Sequence, residues 1–129
     1  MAKRKQRVFV SFDYENDKGL KELLIGQSRN TDSPFDVTDT SLKEEEPEKE
    51  WLEKARAKIK SSDTVVVMLG KKTHKAPGVL KEVKVTRELE KRVFQIKQKD
   101  LDCSPVENAG KVYNWTWDNL KALLPMIEY

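Results

Sequence analysis

The segment Asp63–Gly70, "DTVVVMLG", contains the longest purely apolar run of the chain, from Val65 to Leu69. This run is far shorter than the ~20 residues that a helix needs to cross a bilayer. A short apolar run that does not alternate with polar residues is typical of a parallel strand with helices on both faces of its sheet. The segment therefore predicts a central strand of a parallel sheet.

Strands and helices alternate on both sides of this segment. Further strands are predicted at 7–12 ("RVFVSF"), 35–37, 92–97 ("RVFQIK") and 111–115 ("KVYNW"), and helices at 18–27, after Pro47, after Pro77 and at 116–127 ("TWDNLKALLPMI"). Such alternation predicts right-handed crossovers and an α/β fold. We expect a flavodoxin-like three-layer sandwich of about five parallel strands with helices on both faces, with ligands at the carboxyl ends of the strands.

Composition indicates one domain with a mixed surface. The chain has 129 residues, and 25 basic against 22 acidic side chains give a net charge of +3. This balance gives no electrostatic case for a nucleic-acid partner. We predict a flexible basic flank at residues 1–6 and a single domain at 7–129. The single cysteine excludes an intramolecular disulfide, and without a signal peptide or a membrane span we expect a cytoplasmic protein.

Several site chemistries known for this architecture do not fit the residues. The loop after the first strand contains Asp13, Glu15 and Asp17, which would repel a flavin phosphate. The third strand ends without the acid of a phosphoacceptor domain, and glycine-rich nucleotide-binding motifs are absent. We predict no metal site, because one histidine and one cysteine cannot form a soft cluster and the three acids fit a solvated turn better than a cation site.

Glu82, in the segment "GVLKEVKVTREL" at 78–89, is an acid with no basic residue three or four positions away on its predicted helix. The residues that face it three or four positions away are Gly78, Val79, Val85 and Thr86. Desolvation would raise its pKa, whereas the helix dipole would lower it, so the direction is open at this point. Glu82 lies near the carboxyl edge of the sheet, where it faces either a ligand or solvent.

Five segments together resemble the TIR-like domains (Toll/interleukin-1 receptor-like), especially the small bacterial and archaeal group of the Thoeris antiphage system. They cover essentially the whole chain in order and fit the fold expected above. The segments are "RVFVSFDYEND" at 7–17, "FDVTDTS" at 35–41, "SSDTVVVMLGKKT" at 61–73, "VLKEV" at 79–83 and "YNWTWDNL" at 113–120.

This resemblance implies an activity and a set of site residues. Enzymatic TIR domains cleave the nicotinamide–ribose bond of NAD with a glutamate in a tryptophan-valine-x-x-glutamate motif, and some cyclise the ADP-ribose product into a messenger. Glu82 takes the catalytic role by this match, and Gly78 stands where the tryptophan often lies. NAD is then the substrate, and no cofactor is implied. The residues implied to bind the substrate are Ser11, Phe12, Asp13, Tyr14, Asp39, Thr40, Ser41 and Gly70.

Two functions follow from the resemblance. The first is an NAD glycohydrolase or ADP-ribosyl cyclase in antiphage-type signalling, which binds NAD or an ADP-ribose-like molecule. The second is a non-catalytic module that acts through assembly with itself or other TIR domains. Two features favour the second function. Gly78 stands in place of the tryptophan of the catalytic motif, and the charged segment "TDTSLKEEEPEKE" at 38–50 suits an assembly surface.

Overall fold

A computed structural model describes residues 2–38 and 48–129 of the chain. The strands are β1 (Lys3–Arg4), β2 (Gln6–Ser11), β3 (Phe35–Val37), β4 (Thr64–Leu69), β5 (Arg92–Lys97), β6 (Val112–Asn114) and β7 (Ile127–Glu128). The helices are α1 (Lys18–Ser28), α2 (Glu48–Ser61), α3 (Pro77–Glu88) and α4 (Trp117–Leu123), and a 3-10 turn spans Thr73–Lys75. No helix in these two described ranges is both long and apolar enough to cross a membrane.

Five parallel strands form the main sheet in the order β3-β2-β4-β5-β6. The apolar strand β4 lies at its centre, paired with β2 and β5, and all six of its residues are buried. Strand β3 is added on one side of β2, and β4, β5 and β6 are added on the other side, so the strand order reverses between β2 and β4. This is the strand order of flavodoxin-like folds. The predicted α/β, flavodoxin-like fold is therefore confirmed.

Alternate residues of β4 pack into cores on opposite faces of the sheet. Val66 and Met68 face Leu24 of α1 and Leu120 of α4. The intervening residues face α2 and α3; among the side chains in these clusters are Val65, Val67, Ile59 and Val83. Each such side chain, once removed from water, contributes about 1.5–3 kcal/mol to folding. This three-layer packing holds the carboxyl ends of β2 and β4 side by side.

The flank predicted at residues 1–6 contributes strand β1 to a second, two-stranded sheet, whose other strand is β7. Strand β1 pairs antiparallel with β7, Lys3 opposite Glu128 and Arg4 opposite Ile127. The Arg4 guanidinium also donates two hydrogen bonds to the Asp63 carboxylate, at 2.7 and 2.8 Å, and lowers the pKa of that carboxyl. The sequence did not predict this pairing, and the domain boundary at residue 7 stays a prediction.

Helix α4 is shorter than the sequence predicted. The pattern at 116–127 indicated one closing helix, whereas the helix ends at Leu123. The backbone of Leu124 is no longer helical, with φ −124° and ψ 54°. A residue that precedes a proline is disfavoured in the helical region. Pro125 therefore sets the end of α4, and the chain continues into β7.

The predicted surface loop between β5 and β6 is fastened to the sheet by one buried amide. Gln95, in β5, is only 1% exposed. Its Nε2 donates to the carbonyl oxygens of Val106 (3.1 Å) and Gly110 (2.8 Å), and its Oε1 accepts from the Val106 amide (2.7 Å). One side chain of the sheet thus makes three hydrogen bonds to the backbone of this loop.

We expect Gly110→Ala to destabilise the protein by about 2 kcal/mol or more. Gly110 has φ +81°, and a Cβ atom there would lie 2.3 Å from the carbonyl oxygen of Val93. Urea unfolding of the variant and wild type measures the difference. Gly26→Ala is the control, since a Cβ at Gly26 meets no atom within 4 Å and alanine gains up to about 1 kcal/mol in a helix. Equal stability of Gly110→Ala and wild type would contradict this expectation.

Candidate functional site

A buried hydrogen bond joins the end of β2 to the second turn of α3. The Ser11 hydroxyl donates to Oε1 of Glu82 at 2.7 Å. Ser11 is fully buried, and only 7% of Glu82 is exposed. Glu82 therefore does not face open solvent, which excludes one of the two placements that the sequence left open.

The start of α3 determines this position of Glu82. Pro77 occupies the first turn of the helix, where its missing N–H costs nothing. Val79 and Val83 pack against the sheet, so Glu82, which lies between them on the same side of the helix, reaches the carboxyl edge. Thr86 donates its hydroxyl to the Glu82 carbonyl oxygen at 2.7 Å one turn later.

Burial raises the pKa of Glu82 from its ordinary value of 4.5 to about 8. The Ser11 hydrogen bond and the positive charge of Lys21 oppose this shift without cancelling it. Lys21 extends from α1, is 8% exposed, and places its Nζ 5.2 Å from the centroid of the Phe12 ring. Desolvation therefore exceeds the competing effects, and Glu82 titrates near neutral pH, as functional carboxyls often do.

We expect Ser11→Ala to raise the pKa of Glu82 further, because the lost hydrogen bond stabilises the ionised carboxylate. The pKa can be measured by NMR titration of the Glu82 carboxyl carbon. The matched control is Ser28→Ala, which removes a second buried serine whose hydroxyl donates to the Ile25 carbonyl. A Glu82 pKa that is unchanged or lower in Ser11→Ala would disprove the role of this bond.

A pocket of about 300 Å³ opens next to this pair, and we call it the α3 pocket. Phe12, which follows Ser11, lines it, as do Gly78 and Val79, which lie one turn before Glu82 on the same helix face. Ser11 and Glu82 themselves do not line it, so the carboxyl lies one layer behind the pocket wall. The remaining lining residues are Asp13, Tyr14, Glu15, Asn16, Lys72, Lys75, Ala76 and Pro77.

A second pocket, of about 540 Å³, lies on the α1 side of the same edge, and we call it the α1 pocket. It is bounded by the start of α1, the end of β4 and the segment after β5. Asn16 and Lys72 line both pockets, which are therefore adjacent. The other residues that line the α1 pocket are Asp17, Gly19, Leu20, Leu23, Gly70, Lys71, Gln98 and Leu101.

Asp17, Gly70 and Thr73 connect the loop after β2 to the loop after β4. The Thr73 hydroxyl donates to Oδ2 of Asp17 (3.2 Å) and accepts from the Gly70 amide (2.7 Å). A Cβ at Gly70 would lie 2.1 Å from the same Oδ2, so only glycine leaves room for the carboxylate. Burial raises the pKa of Asp17, and the Thr73 hydrogen bond opposes that shift. We call these three residues the loop bridge.

The structure brings most of the predicted site residues to this edge. Phe12, Asp13 and Tyr14 line the α3 pocket, and Gly70 lines the α1 pocket. Ser11 contacts Glu82 rather than a pocket. The predicted residues Asp39, Thr40 and Ser41 lie outside the described residues. Contact of any of these residues with a substrate stays a prediction.

Asp13 has local partners that account for its burial. It is 6% exposed and accepts hydrogen bonds from Nδ2 of Asn16 at 2.7 Å and from the amide of Glu15 at 3.2 Å. Among residues 2–38 and 48–129, no group of three or more His, Cys, Asp or Glu side chains is arranged to hold a metal ion. The Asp13 carboxylate thus binds groups of its own loop.

Sequence reasoning missed two side chains at this site. Lys21 lies on α1, where the sequence pattern identifies only the apolar face and so does not show that this lysine is close enough to act on Glu82. Trp51, in α2, places its indole ring 3.6 Å from the position of a Cβ at Gly78. An aromatic ring thus lies beside Gly78 although it comes from another helix. The only sequence signal was the place of Trp51 on the apolar stripe of α2, the helix that packs against α3.

Comparison with known families supports the resemblance stated above. The family model for the TIR-like domain of the Thoeris protein ThsB matches residues 9–102. The match begins within β2 and ends after β5, so it includes Ser11, Gly70 and Glu82. No curated protein matches the chain. Since the match covers well over half of the 129 residues, the chain belongs to the Thoeris ThsB TIR-like domain family.

Proposed function

We propose that this TIR-like domain is a signalling enzyme that cleaves the nicotinamide–ribose bond of NAD. Nicotinamide is released, and the ADP-ribose product, linear or cyclised, serves as a messenger in antiphage-type defence in the cytoplasm. The observation that carries the proposal is Glu82, a buried carboxyl with a pKa of about 8 beside a pocket at the carboxyl edge of the sheet. Membership of a TIR-like family supports the signalling role.

A single carboxylate suits this reaction. When the bond breaks, its electron pair goes to the cationic nicotinamide ring, which leaves as a neutral molecule, and positive charge develops on the ribose. An anion near the ribose stabilises that charge more in the transition state than in the ground state. Water, or a nucleophile within the product itself, then bonds to the ribose carbon and releases a proton. No strong general acid is required.

The ionised form of Glu82 is the active one in this mechanism. A cationic ligand close to a carboxyl favours its ionised form, so a bound NAD lowers the pKa of Glu82 and generates the anion where it is used. Ser11, which stabilises the same anion by its hydrogen bond, is a positioning residue. Because neither Glu82 nor Ser11 lines the α3 pocket, the substrate must displace side chains of the pocket wall to reach the carboxyl.

A non-catalytic function is the second candidate, and one observation favours it. Neither Glu82 nor Ser11 lines the α1 pocket or the α3 pocket. If the pocket walls do not open to expose Glu82, the domain acts only through contacts with itself or with other TIR domains. The hydrogen bond between Ser11 and Glu82 then has only a structural role.

The test is incubation of the wild-type protein with NAD at dilute and at high protein concentration. Released nicotinamide is measured by chromatography, and the nucleotide product is identified by mass spectrometry. We expect nicotinamide release. The rate per protein molecule should be higher at the higher protein concentration if assembly completes the site. No release at either concentration, together with no calorimetric binding of NAD and with concentration-dependent assembly, would establish the non-catalytic function instead.

A further inference from the structure

We infer that the substrate dinucleotide lies across both pockets, with its nicotinamide half in the α3 pocket and its adenosine half in the α1 pocket. The inference rests on the proposed function and adds to it a binding site for the half of the substrate that does not react. Lys72, which lines both pockets, then lies at the diphosphate that joins the two halves.

The sizes of the pockets support this division. Pockets for drug-sized ligands are about 300–1,000 Å³, and the α3 pocket, at about 300 Å³, is at the lower limit. A dinucleotide is larger than most drug-sized ligands, so the α3 pocket has room for only one of its halves. The α1 pocket, at about 540 Å³, has room for the other.

The position of the two pockets agrees with the topology of the sheet. In folds of this class, ligands bind in the crevice beyond the carboxyl ends of the two strands between which the chain direction reverses. These strands are β2 and β4. The α1 and α3 pockets lie on the two sides of the loops that follow them, and both include Asn16 and Lys72.

The chemistry of the α1 pocket fits a nucleotide. Leu20, Leu23 and Leu101 provide apolar surface for a base, and Leu23 is 58% exposed at the pocket. The ammonium groups of Lys71 and Lys72 attract a diphosphate and offset the repulsion from the acids of the first loop. The Asp17 carboxylate can accept hydrogen bonds from ribose hydroxyls, a role that acids have in other dinucleotide sites.

Two glycines in α1 offer a matched test. Gly19 lines the α1 pocket, and Gly26 lines neither pocket. An added Cβ meets no atom within 4 Å at either position, and leucine is a better helix former than glycine. Gly19→Leu therefore fills the α1 pocket without harm to the fold, and Gly26→Leu makes the same change elsewhere on the helix.

The experiment measures the affinities of NAD, AMP and nicotinamide mononucleotide by calorimetry for both variants and wild type. We expect Gly19→Leu to weaken binding of NAD and AMP at least tenfold and to leave nicotinamide mononucleotide within about twofold of wild type. Gly26→Leu should bind all three as wild type does. Saturating nicotinamide mononucleotide should not displace AMP from the wild-type protein, because the two probes occupy different pockets.

The inference is overturned if Gly19→Leu binds NAD and AMP as tightly as Gly26→Leu, or if wild type does not bind AMP. Equal weakening of all three ligands by Gly19→Leu also overturns it, because the halves would then share one pocket. These readouts need no turnover. Failure of the proposed function is seen separately, as the absence of nicotinamide release from NAD by the wild-type protein.

Discussion

Replacement of Glu82 by glutamine is expected to lower the rate of nicotinamide release from NAD at least about 100-fold, the size of effect seen when one stabilising group of a transition state is removed. Glutamine keeps the length of the side chain and an oxygen that can accept from Ser11, but it cannot become an anion. The loss should appear in kcat, since the charge of Glu82 acts on the transition state. The measurement is the initial rate of nicotinamide release.

The control is Glu88→Gln, on the same helix. Glu88 is exposed and forms an ion pair with Arg56, and surface pairs of this kind contribute at most about 1 kcal/mol. We expect its turnover to remain within about twofold of wild type. In wild type, kcat/KM should increase with pH up to about 8, as Glu82 of the free protein ionises. Equal turnover of Glu82→Gln and wild type would refute a catalytic role for this residue.

The same substitution is expected to stabilise the protein at neutral and alkaline pH. In wild type, the pKa of Glu82 is raised from 4.5 to about 8 on folding, so the folded state holds a proton that the unfolded state has lost. The free energy of unfolding of wild type, relative to Glu82→Gln, should therefore fall by about 1.4 kcal/mol per pH unit above 4.5 and level off above about 8. The whole decrease is on the order of 5 kcal/mol.

Urea unfolding at pH 5, 7 and 9 measures this dependence. The difference between wild type and Glu82→Gln should grow from pH 5 to pH 9 in favour of the variant, whereas Glu88→Gln should follow wild type throughout. A difference that is constant with pH would show that Glu82 is not desolvated in the folded protein. A residue whose removal increases stability but abolishes activity is typical of a functional site rather than a structural one.

The sequence predicted the fold well where residue patterns determine it. The unbroken apolar run of β4 identified a central parallel strand because only burial on both faces tolerates such a run. The two-residue strands β1 and β7 were missed because so short a segment has no periodicity. Helix α4 was predicted too long because its apolar pattern continues past Pro125, whose effect on the preceding residue ends the helix.

At the site, periodicity within one helix identified Glu82 but not the residues that surround it. Glu82 was found because an α-helix fixes which residues face each other three and four positions apart. Its partner Ser11 lies 71 positions away in the chain, and Lys21 and Trp51 come from two further helices. Such contacts, and the burial that raises the pKa of Glu82, arise from tertiary packing, which local periodicity does not encode.

The loop bridge has a consequence for the motions of this edge. Thr73 bonds both to Asp17, at the end of the first loop, and to the amide of Gly70 in the second. The bond between Thr73 and Asp17 is the one of the two that joins the loops, so neither loop can swing outward alone without breaking it, and we expect one cooperative opening that releases both. The backbone amides of the two loops should then exchange with heavy water with a single shared protection factor, which NAD would raise in both loops together.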